Sequence, residues 1–328
     1  MTSKINFPYV SLPRTTHNLR HKVRSFLHRE ISEGTFEPHK GDGFNREFSE
    51  KVGEQGWIGM TWPKRYGGHE LSQFDRYVVT EEMLFVGAPT WAHFTADRQS
   101  GPVLLKYGSE EIRQRILPQI ARGQCTFAIG MSEPDSGSDL FAAKTRAEPC
   151  SDGWLINGRK TWTSFAHKAQ YMIALFRTSK PDAKNRRHGL TQFLVDMTTP
   201  GITVNPIRNS AGLHDFNDVI LVTSGPGNDK IQVSESITTN FRINAGSGRN
   251  LIYSGSGDDI LYAKDSHNEL FGGNGDDLLF GGTGSNILGG GEGNDVLVGS
   301  HSIDTLYGGP GRDLLVGFEG NDRLDGQS

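Results

Sequence analysis

A nine-residue unit repeats nine times in succession between Ala245 and Asp325, with no change of register. The unit reads Gly-Gly-x-Gly-x-Asp-x-Leu-x, and its most regular copies include residues 272–280 and 290–298. A glycine-rich turn followed by a short strand with one apolar position buries that position only when neighbouring units stack on each other. The repeat therefore predicts a parallel β-roll over residues 224–328. Since two units complete one turn, units eighteen residues apart should stack on the same edge.

One apolar side chain in each unit is predicted to point into the roll. This inward row consists of Ile252, Leu261, Leu270, Leu279, Leu288, Leu297, Leu306, Leu315 and Leu324. A single row is a thin core for a segment that is also strongly acidic. We therefore expect bound metal to contribute a large part of the folding free energy of the roll.

The sixth position of the unit distinguishes the two edges of the predicted roll. Edge one is the edge whose sixth positions hold Asp259, Asp277, Asp295 and Asp313. Edge two is the edge whose sixth positions hold Asn250, Asn268, Asn286, Asp304 and Asp322. Ca²⁺ takes carboxylate and carbonyl oxygens as ligands, and asparagine provides an oxygen without a charge. We predict about three Ca²⁺ ions between the stacked loops of edge one, and weak binding on edge two except between Asp304 and Asp322.

Two further features accompany the repeats. An incomplete copy over residues 224–229 precedes them out of register and ends in Asp229, which is a further candidate ligand. The strands that follow the edge-one loops also have apolar residues at their outward positions, such as Leu278 and Phe280. This outer face is predicted to pack against a partner or another domain. The alternative is that residues with high strand propensity fill permissive positions.

The repeats resemble those of RTX-type calcium-binding β-roll proteins. The resemblance implies Ca²⁺ as the ligand. It also favours an extracellular, secreted setting, because extracellular calcium modules typically bind at about 10⁻⁴–10⁻³ M. Sites of that affinity would stay empty at cytosolic calcium concentrations.

Composition divides the chain near residue 223. Residues 224–328 contain 15 acidic and 6 basic residues, a net charge of −9, and 23 of the 42 glycines. Residues 1–223 have a net charge of +5 and contain all five Trp and both Cys. Two cysteines are too few for a disulfide scaffold, and we find neither a Sec signal peptide nor an apolar run of membrane-spanning length. We expect no nucleic-acid partner and no membrane span.

Residues 1–123 have the periodicity of helices. Leu19, Val23 and Phe26 belong to an apolar stripe, and Ser72 and Ser109 are predicted N-caps of later helices. Residues 124–222 instead predict a compact β domain, with strands near residues 125–129, 154–156, 171–176, 192–195 and 202–204. A hairpin turn is predicted at Asn157-Gly158. The predicted fold class is therefore multidomain α+β, with a helical N-terminal domain, a middle β domain and a C-terminal parallel β-roll of nonapeptide repeats.

Four segments of residues 15–220 form an ordered set of motifs. They are residues 62–68 (WPKRYGG), 131–139 (MSEPDSGSD), 153–162 (GWLINGRKTW) and 214–217 (HDFN). In this order they are similar to the motifs of the acyl-CoA dehydrogenase family. The resemblance implies a helical domain followed by a β domain that holds FAD, with acyl-CoA as the substrate class and a cytoplasmic setting.

The resemblance also implies roles for residues that match the family by position. The implied cofactor-binding residues are Met131, Ser132, Gly137, Ser138, Trp162 and Ser164. The first two would face the flavin ring, the next two would lie near the pyrophosphate and acyl-CoA, and the last two would contact the flavin. The alternatives are that the serines only shape a turn and that the tryptophan is a core aromatic.

The resemblance ends near Asp218, so it does not include the family's third domain. That helical bundle supplies the carboxylate that removes the α-proton of the thioester, and we expect no catalytic base in this chain. Loss of a positioned base lowers the rate by about 10²–10⁴-fold. Three interpretations stay open. They are a calcium-binding repeat protein with a degenerate dehydrogenase scaffold, a working FAD-dependent dehydrogenase with an added roll, and an artificial or frameshifted join near residues 218–224.

Overall fold

The computed structural model describes residues 11–326 apart from short gaps at 151–152, 181, 183, 200, 210–211, 213, 223–226 and 234–239. The first residues of the predicted helical domain, 1–10, and half of the incomplete repeat, 224–226, lie outside the described residues. The chain divides into two compact units, Met1–Ala128 with Ala169–Tyr171, and Ile129–Lys168 with Met172–Ser328. No helix among the described residues is both long and apolar enough to cross a membrane.

The first unit is helical, as the sequence predicts. Its helices are α1 (Thr15–Ser32), α2 (Arg46–Glu54), α3 (Gln73–Phe85), α4 (Trp91–Thr95), α5 (Gly101–Tyr107) and α6 (Glu110–Ala121). Ser72 caps α3 in a reciprocal capping box with Asp75, and Ser109 accepts a hydrogen bond from the backbone of Ile112 at the start of α6. Both predicted N-caps are confirmed.

The second unit begins with a sheet of seven strands. These are β1 (Phe127–Gly130), β2 (Arg146–Cys150), β3 (Gly153–Ser164), β4 (Tyr171–Arg177), β5 (Leu190–Asp196), β6 (Ile202–Ile207) and β7 (Phe216–Val222). They are ordered β1-β4-β2-β3-β7-β6, and β5 pairs with β4. The side chains on the inner faces of β4 and β7 are buried, with Met172, Phe176 and Val219 all 0% exposed.

The hairpin predicted at Asn157-Gly158 is wrong, because both residues lie inside β3. Asn157 pairs with Val222 and Gly158 with Leu221. The β2–β3 hairpin instead closes between Cys150 and Gly153. Glycine is needed at 158 because a Cβ there would lie 2.5 Å from the hydroxyl oxygen of Thr145. The Asn-Gly pattern thus reflects close packing rather than a turn.

The remaining strands form the β-roll. They are β8 (Lys230–Gln232), β9 (Arg242–Asn244), β10 (Leu251–Tyr253), β11 (Ile260–Tyr262), β12 (Glu269–Asn274), β13 (Leu278–Phe280), β14 (Ile287–Glu292), β15 (Val296–Val298), β16 (Thr305–Tyr307), β17 (Leu314–Val316) and β18 (Arg323–Asp325). One parallel sheet follows the order β18-β16-β14-β12-β10-β8, and the other follows β17-β15-β13-β11-β9. Leu279 pairs with Leu297 and Leu270 with Leu288, so the predicted stacking of units eighteen residues apart is confirmed.

The incomplete copy joins the same stack. Lys230 pairs with Leu251, a separation of 21 residues, because three additional residues lie between this copy and the regular repeats. Asp229 therefore lies at the first level of edge two, although its sequence position is out of register. The other edge gains a level as well, since Arg242 of β9 pairs with Ile260.

The inward row forms the core of the roll. From Ile252 to Leu306 every predicted inward side chain is 0% exposed. The row continues into the sheet domain through Ile220 and Phe241, which belong to the same buried cluster. At the other end Leu315 is only partly buried and Leu324 is 49% exposed, because no further turn of the described residues covers it.

Truncation of the central core should destabilise the roll far more than truncation of its end. Leu279→Ala is expected to lower the free energy of unfolding by about 2–5 kcal/mol, because the closed row cannot collapse around the cavity. Leu324→Ala removes the same atoms from a half-exposed site and should cost well under half as much. Denaturant unfolding of both variants in saturating calcium measures the difference, and equal losses would contradict a closed central core.

Candidate calcium and flavin sites

The edge-one aspartates form a ladder through one carboxylate oxygen each. Oδ1 of Asp277 accepts the backbone N–H of Asp259 at 2.7 Å, and Oδ1 of Asp295 accepts that of Asp277 at 2.8 Å. Oδ1 of Asp313 accepts the N–H of Asp295 at 3.0 Å. The eighteen-residue repeat thus places one carboxylate at each level, tied to the backbone of the level before it.

The second carboxylate oxygen of each of these residues has no hydrogen-bond partner among the described residues. Oδ2 is buried and unpaired in Asp259, Asp277, Asp295 and Asp313. An unpaired buried acceptor is costly, and a bound cation would satisfy this row. The first glycine of the loop leaves space beside this oxygen, since a Cβ at Gly290 would lie 2.2 Å from Oδ2 of Asp295 and 2.6 Å from the carbonyl oxygen of Gly308.

This donor set fits Ca²⁺. Beside Asp295, Oδ2 and the backbone carbonyl oxygen of Gly308 border the same space, and hard oxygen ligands of this kind are those that Ca²⁺ takes. No group of three or more His, Cys, Asp or Glu is gathered for a metal anywhere in the described part of the chain. An ion held on this edge would therefore take most of its ligands from the carbonyls of the glycine-rich loops, with one or two carboxylates.

Burial perturbs the edge-one carboxyls. It raises the pKa of Asp277 to about 7, with a smaller contribution from the neighbouring carboxylates Asp259 and Asp295. Burial also raises the pKa of Asp259 and of Asp295 to about 6. A carboxyl whose pKa is raised on folding favours the folded state below its unfolded pKa. That contribution is lost as the pH rises through the folded value.

The calcium-free roll should therefore lose stability as the pH rises from about 4 to about 7. Asp277→Asn removes the buried charge, so its advantage in unfolding temperature over the unsubstituted chain should be small at pH 4 and grow toward pH 7. Circular dichroism melts of both proteins in calcium-free buffer measure this difference. An advantage that is independent of pH would contradict the assignment.

The candidate ligands of edge two have different surroundings. Oδ2 of Asp304 already accepts the N–H of Ser300 at 2.6 Å and its hydroxyl at 3.0 Å. Oδ1 of Asp322 accepts the N–H of Asp304 at 2.9 Å. The backbone N–H of Asp229 donates to Oδ1 of Asn250 at 3.1 Å. These three aspartates lie on edge two, in line with Asn250, Asn268 and Asn286.

The loop of residues 131–139 connects β1 to the strand pair β2–β3. Thr161 donates its backbone N–H to the carbonyl of Ser132 at 2.9 Å, which ties the loop to β3. Gly137 and Ser138 are exposed, and a Cβ at Gly137 would meet no protein atom within 4 Å. The described chain therefore gives no steric reason for glycine at this position, whereas close approach of a phosphate group would.

Trp162 and Ser164 lie at the end of β3, next to Thr161, which holds the loop. A register shift in the β3–β7 pairing between Lys160 and Thr163 turns Trp162 outward, with φ of 56° and 59% exposure. Its ring contacts Phe216 edge to face at 5.9 Å between centroids. Positive φ is strained for a bulky residue. Trp162 is thus not a core aromatic but a flat ring held at the surface.

A buried ion pair that sequence reasoning missed fixes this loop. Lys160 is 0% exposed, and its Nζ lies 2.7 Å from Oε1 of Glu133 and 3.3 Å from the carbonyl oxygen of Met131. Glu133 also accepts the N–H groups of Lys144 at 2.6 Å and Thr145 at 3.0 Å. Burial opposes ionisation of Glu133, but these hydrogen bonds hold its pKa below the usual range. Burial lowers the pKa of Lys160.

The fold and the two sites define a protein in which a dehydrogenase-type helical and β region precedes a calcium roll. Residues 13–124 match the acyl-CoA dehydrogenase N-terminal domain, and residues 128–222 match the acyl-CoA dehydrogenase middle domain. Residues 242–268, 262–297 and 298–328 match the RTX calcium-binding nonapeptide repeat. The chain belongs to the acyl-CoA dehydrogenase family through residues 13–222 and continues as RTX repeats.

Similar proteins support the same assignment. Acyl-CoA dehydrogenase IpdE1 of Mycobacterium tuberculosis (strain ATCC 25618 / H37Rv) is 32% identical over 66% of this chain and 58% of its own length. Acyl-CoA dehydrogenase FadE26 of the same organism is 34% identical over 51% of this chain and 42% of its own length. The structure of the Tcur3481-Tcur3483 steroid ACAD superposes with a TM-score of 0.56 at 31% identity, over 65% of this chain and 56% of that chain. The chain spans about half the length of the curated relatives it matches.

The family matches identify two ligands in general terms. The RTX repeats imply calcium binding, and the acyl-CoA dehydrogenase family implies FAD. The unpaired buried Oδ2 atoms fit the first, and the open surface at Gly137 and the outward ring of Trp162 fit the second.

Proposed function

We propose that this chain is a calcium-binding protein in which Ca²⁺ completes edge one of the roll. The observation that supports this most strongly is the row of buried, unpaired Oδ2 atoms on Asp259, Asp277, Asp295 and Asp313. Carbonyls of the adjacent glycine-rich loops provide the other ligands. Bound calcium supplies the positive charge that a segment of net charge −9 requires for compact stacking.

Calcium and folding are coupled on this edge. Each Asp is fixed at Oδ1 by the backbone of the preceding level, so only Oδ2 turns toward the ion and little rearrangement is needed once the levels are stacked. Without the ion the same carboxylates are buried next to each other, which opposes stacking. The roll should therefore gain order as calcium binds.

Circular dichroism and titration calorimetry of the full chain test this proposal. Millimolar CaCl₂ should increase the β signal and raise the unfolding temperature, and chelator should reverse both changes. MgCl₂ at the same concentration is the matched control, because Mg²⁺ is smaller and retains its water. Calorimetry should count about three ions per chain on edge one. An unchanged spectrum and no heat of binding would refute the proposal.

A second function is supported by the middle domain, namely binding of FAD. Trp162 and Ser164 would contact the flavin, Met131 and Ser132 would present backbone and hydroxyl groups to it, and Gly137 and Ser138 would lie near its pyrophosphate or acyl-CoA. When bound, FAD supplies the capacity to accept a hydride from an acyl-CoA thioester. These residues orient the ring and shield it, and none of them removes the α-proton.

The flavin proposal predicts binding without appreciable turnover by this chain alone. A proton-abstracting base contributes about 10²–10⁴-fold to such reactions, and we assign none to the described residues. The purified protein should take up FAD, with an absorbance change near the flavin bands, and should reduce an artificial acceptor with acyl-CoA far more slowly than a full-length relative. Recording flavin absorbance during the calcium titration tests both functions on one sample. Turnover equal to that of the relative would refute the assignment, and a colourless protein that does not bind added FAD would refute the flavin site.

A further inference from the structure

Three consecutive levels of edge two replace the aspartate of the repeat by asparagine. Asn250, Asn268 and Asn286 are 3%, 0% and 1% exposed, as deeply buried as the aspartates of edge one. Their Oδ1 atoms make the same ladder. Oδ1 of Asn268 accepts the backbone N–H of Asn250 at 3.2 Å, and Oδ1 of Asn286 accepts that of Asn268 at 3.2 Å. Half of each side chain thus repeats the edge-one arrangement.

The other half of the side chain differs in chemistry. Nδ2 occupies the position of the unpaired Oδ2, and it donates to carbonyls of its own loop. Asn250 donates to the carbonyl of Gly248 at 3.0 Å, Asn268 to that of Asp265 at 2.9 Å, and Asn286 to that of Gly284. The N–H groups therefore engage loop carbonyls of the kind that we assign to the metal on edge one.

The amide nitrogens also connect one level to the next. Nδ2 of Asn250 lies 2.9 Å from Oδ1 of Asn268, and Nδ2 of Asn268 lies 3.1 Å from Oδ1 of Asn286. Nδ2 of Asn286 continues the row to Oδ1 of Asp304 at 3.0 Å. Because each amide has two N–H groups, one can reach the loop carbonyl and the other the next level. The row of Nδ2 atoms is fully hydrogen-bonded by the chain itself.

These levels do not fit Ca²⁺. A cation there would lie against N–H donors, would find the loop carbonyls already engaged, and would gain no carboxylate charge. We propose that Asn250, Asn268 and Asn286 are internal substitutes for calcium, so that these three levels of edge two are held by an amide ladder without metal while edge one depends on the ion. Calcium then acts on one edge of a roll whose other edge is already in register.

At the next level, that of Asp304, the protein also provides the hydrogen-bond donors, but from different atoms. Asp304 keeps the carboxylate, but the N–H and hydroxyl of Ser300 fill its second oxygen. Ser300 stands at the second glycine position of the unit. The four levels from Asn250 to Asp304 therefore obtain their donors from the protein. This is contrary to the sequence-based expectation that the Asp304–Asp322 pair is the best site on edge two.

Reciprocal substitutions in the full chain test the proposal. Asn268→Asp should add about one bound ion per chain in calorimetry with CaCl₂ and should lower the unfolding temperature in chelator, since it exchanges a hydrogen-bonded amide for a buried charge. Asp277→Asn, the matched change on edge one, should remove at least one ion and raise the unfolding temperature in chelator. Asn268→Ala should lower the unfolding temperature in chelator and leave the number of bound ions unchanged.

The outcomes separate this inference from the calcium proposal on which its metal-counting part rests. Failure of the unsubstituted chain to bind calcium would refute the proposed function, but the measurements in chelator would still test the amide ladder. The inference is overturned if Asn268→Ala lowers the number of bound ions as Asp277→Asn does, if a folded Asn268→Asp binds no additional ion, or if Asn268→Ala leaves the stability in chelator unchanged.

Discussion

Replacing Asp277 and Asp295 together by alanine will remove most of the stability that the roll gains from calcium. These two residues border all three positions between the stacked loops of edge one, so each ion loses at least one carboxylate. An ion present at 100 times its dissociation constant stabilises the folded state by about 2.7 kcal/mol. Loss of three such ions therefore costs up to about 8 kcal/mol. Denaturant unfolding with and without calcium measures the loss as the difference between the two conditions.

The matched control lies on the opposite edge. Asn250→Ala with Asn268→Ala removes the same number of buried polar side chains from stacked levels, and it should reduce stability equally with and without calcium. The aspartate variant should instead lose stability mainly in calcium, because without the ion it also loses two buried charges. Equal calcium-dependent losses for the two double variants would contradict the difference between the edges.

The period of the repeat was sufficient to predict the architecture of the roll. Because eighteen residues return the chain to the same edge, the pairing of Leu270 with Leu288 and of Leu279 with Leu297 followed from the sequence alone. The level of Asp229 could not be predicted in this way. Three additional residues in the connecting segment shift it out of the eighteen-residue register, although its strand still pairs within the stack. A repeat period reveals regularly spaced copies, but it does not reveal a copy that joins the stack through a longer connecting segment.

The sequence predicted only part of the chemical difference between the two edges. The change from aspartate to asparagine indicated weaker metal binding on edge two. It could not show that the amides of Asn250 and Asn268 donate to loop carbonyls, because that depends on which side-chain atom faces the loop once Oδ1 has taken the backbone N–H. Burial on both edges is the same, and hydrogen-bonding capacity makes the difference.

In the middle domain, one sequence motif was misleading and one buried ion pair gave no signal in the sequence. The loop at residues 131–139 is tied to β3 by the hydrogen bond from Thr161 to Ser132. Asn157-Gly158 misled because its glycine serves the close approach of Thr145. Lys160 gave no signal in isolation, since a lysine in a strand is usually exposed. Its partner Glu133 is 27 residues away in sequence, and only the folded sheet brings them together.

The boundary near residues 218–224 bears on the interpretation of the chain as an artificial join. Ile220 of β7 is 7% exposed and belongs to the same buried cluster as Phe241 and Ile243 of the first roll levels, and Val222 packs against that cluster. The N–H of Arg242 also donates to the hydroxyl of Thr203 at 2.7 Å. Repeat stacks need a cap at each end. These contacts favour a roll that uses β6 and β7 as its cap over two unrelated pieces.

Lys160→Met should destabilise the second unit by about 3–5 kcal/mol, because it leaves the carboxylate of Glu133 buried without its cation. Methionine is one heavy atom shorter than lysine but fills most of its volume beside the ring of Phe176, over which Nζ lies at 5.5 Å. The loss is thus electrostatic rather than a cavity effect. Denaturant unfolding followed by circular dichroism in saturating calcium measures it, and FAD uptake by the folded variant reports whether the loop at Met131 has kept its place.

Lys144→Met is the control within the same loop. Its ion pair with Asp135 is 2.9 Å long but largely exposed on both sides, and exposed pairs contribute about 0–1 kcal/mol. The double variant Glu133→Gln with Lys160→Met removes both buried charges and should recover part of the stability lost by Lys160→Met alone, as a coupled pair requires. Equal losses from Lys144→Met and Lys160→Met, or no recovery in the double variant, would show that this ion pair does not position the loop. Recovery of stability without recovery of FAD uptake would separate the two roles, because the folding penalty comes from the unpaired charge, whereas the loop position that we propose for flavin binding depends on the contact of Nζ with the carbonyl of Met131.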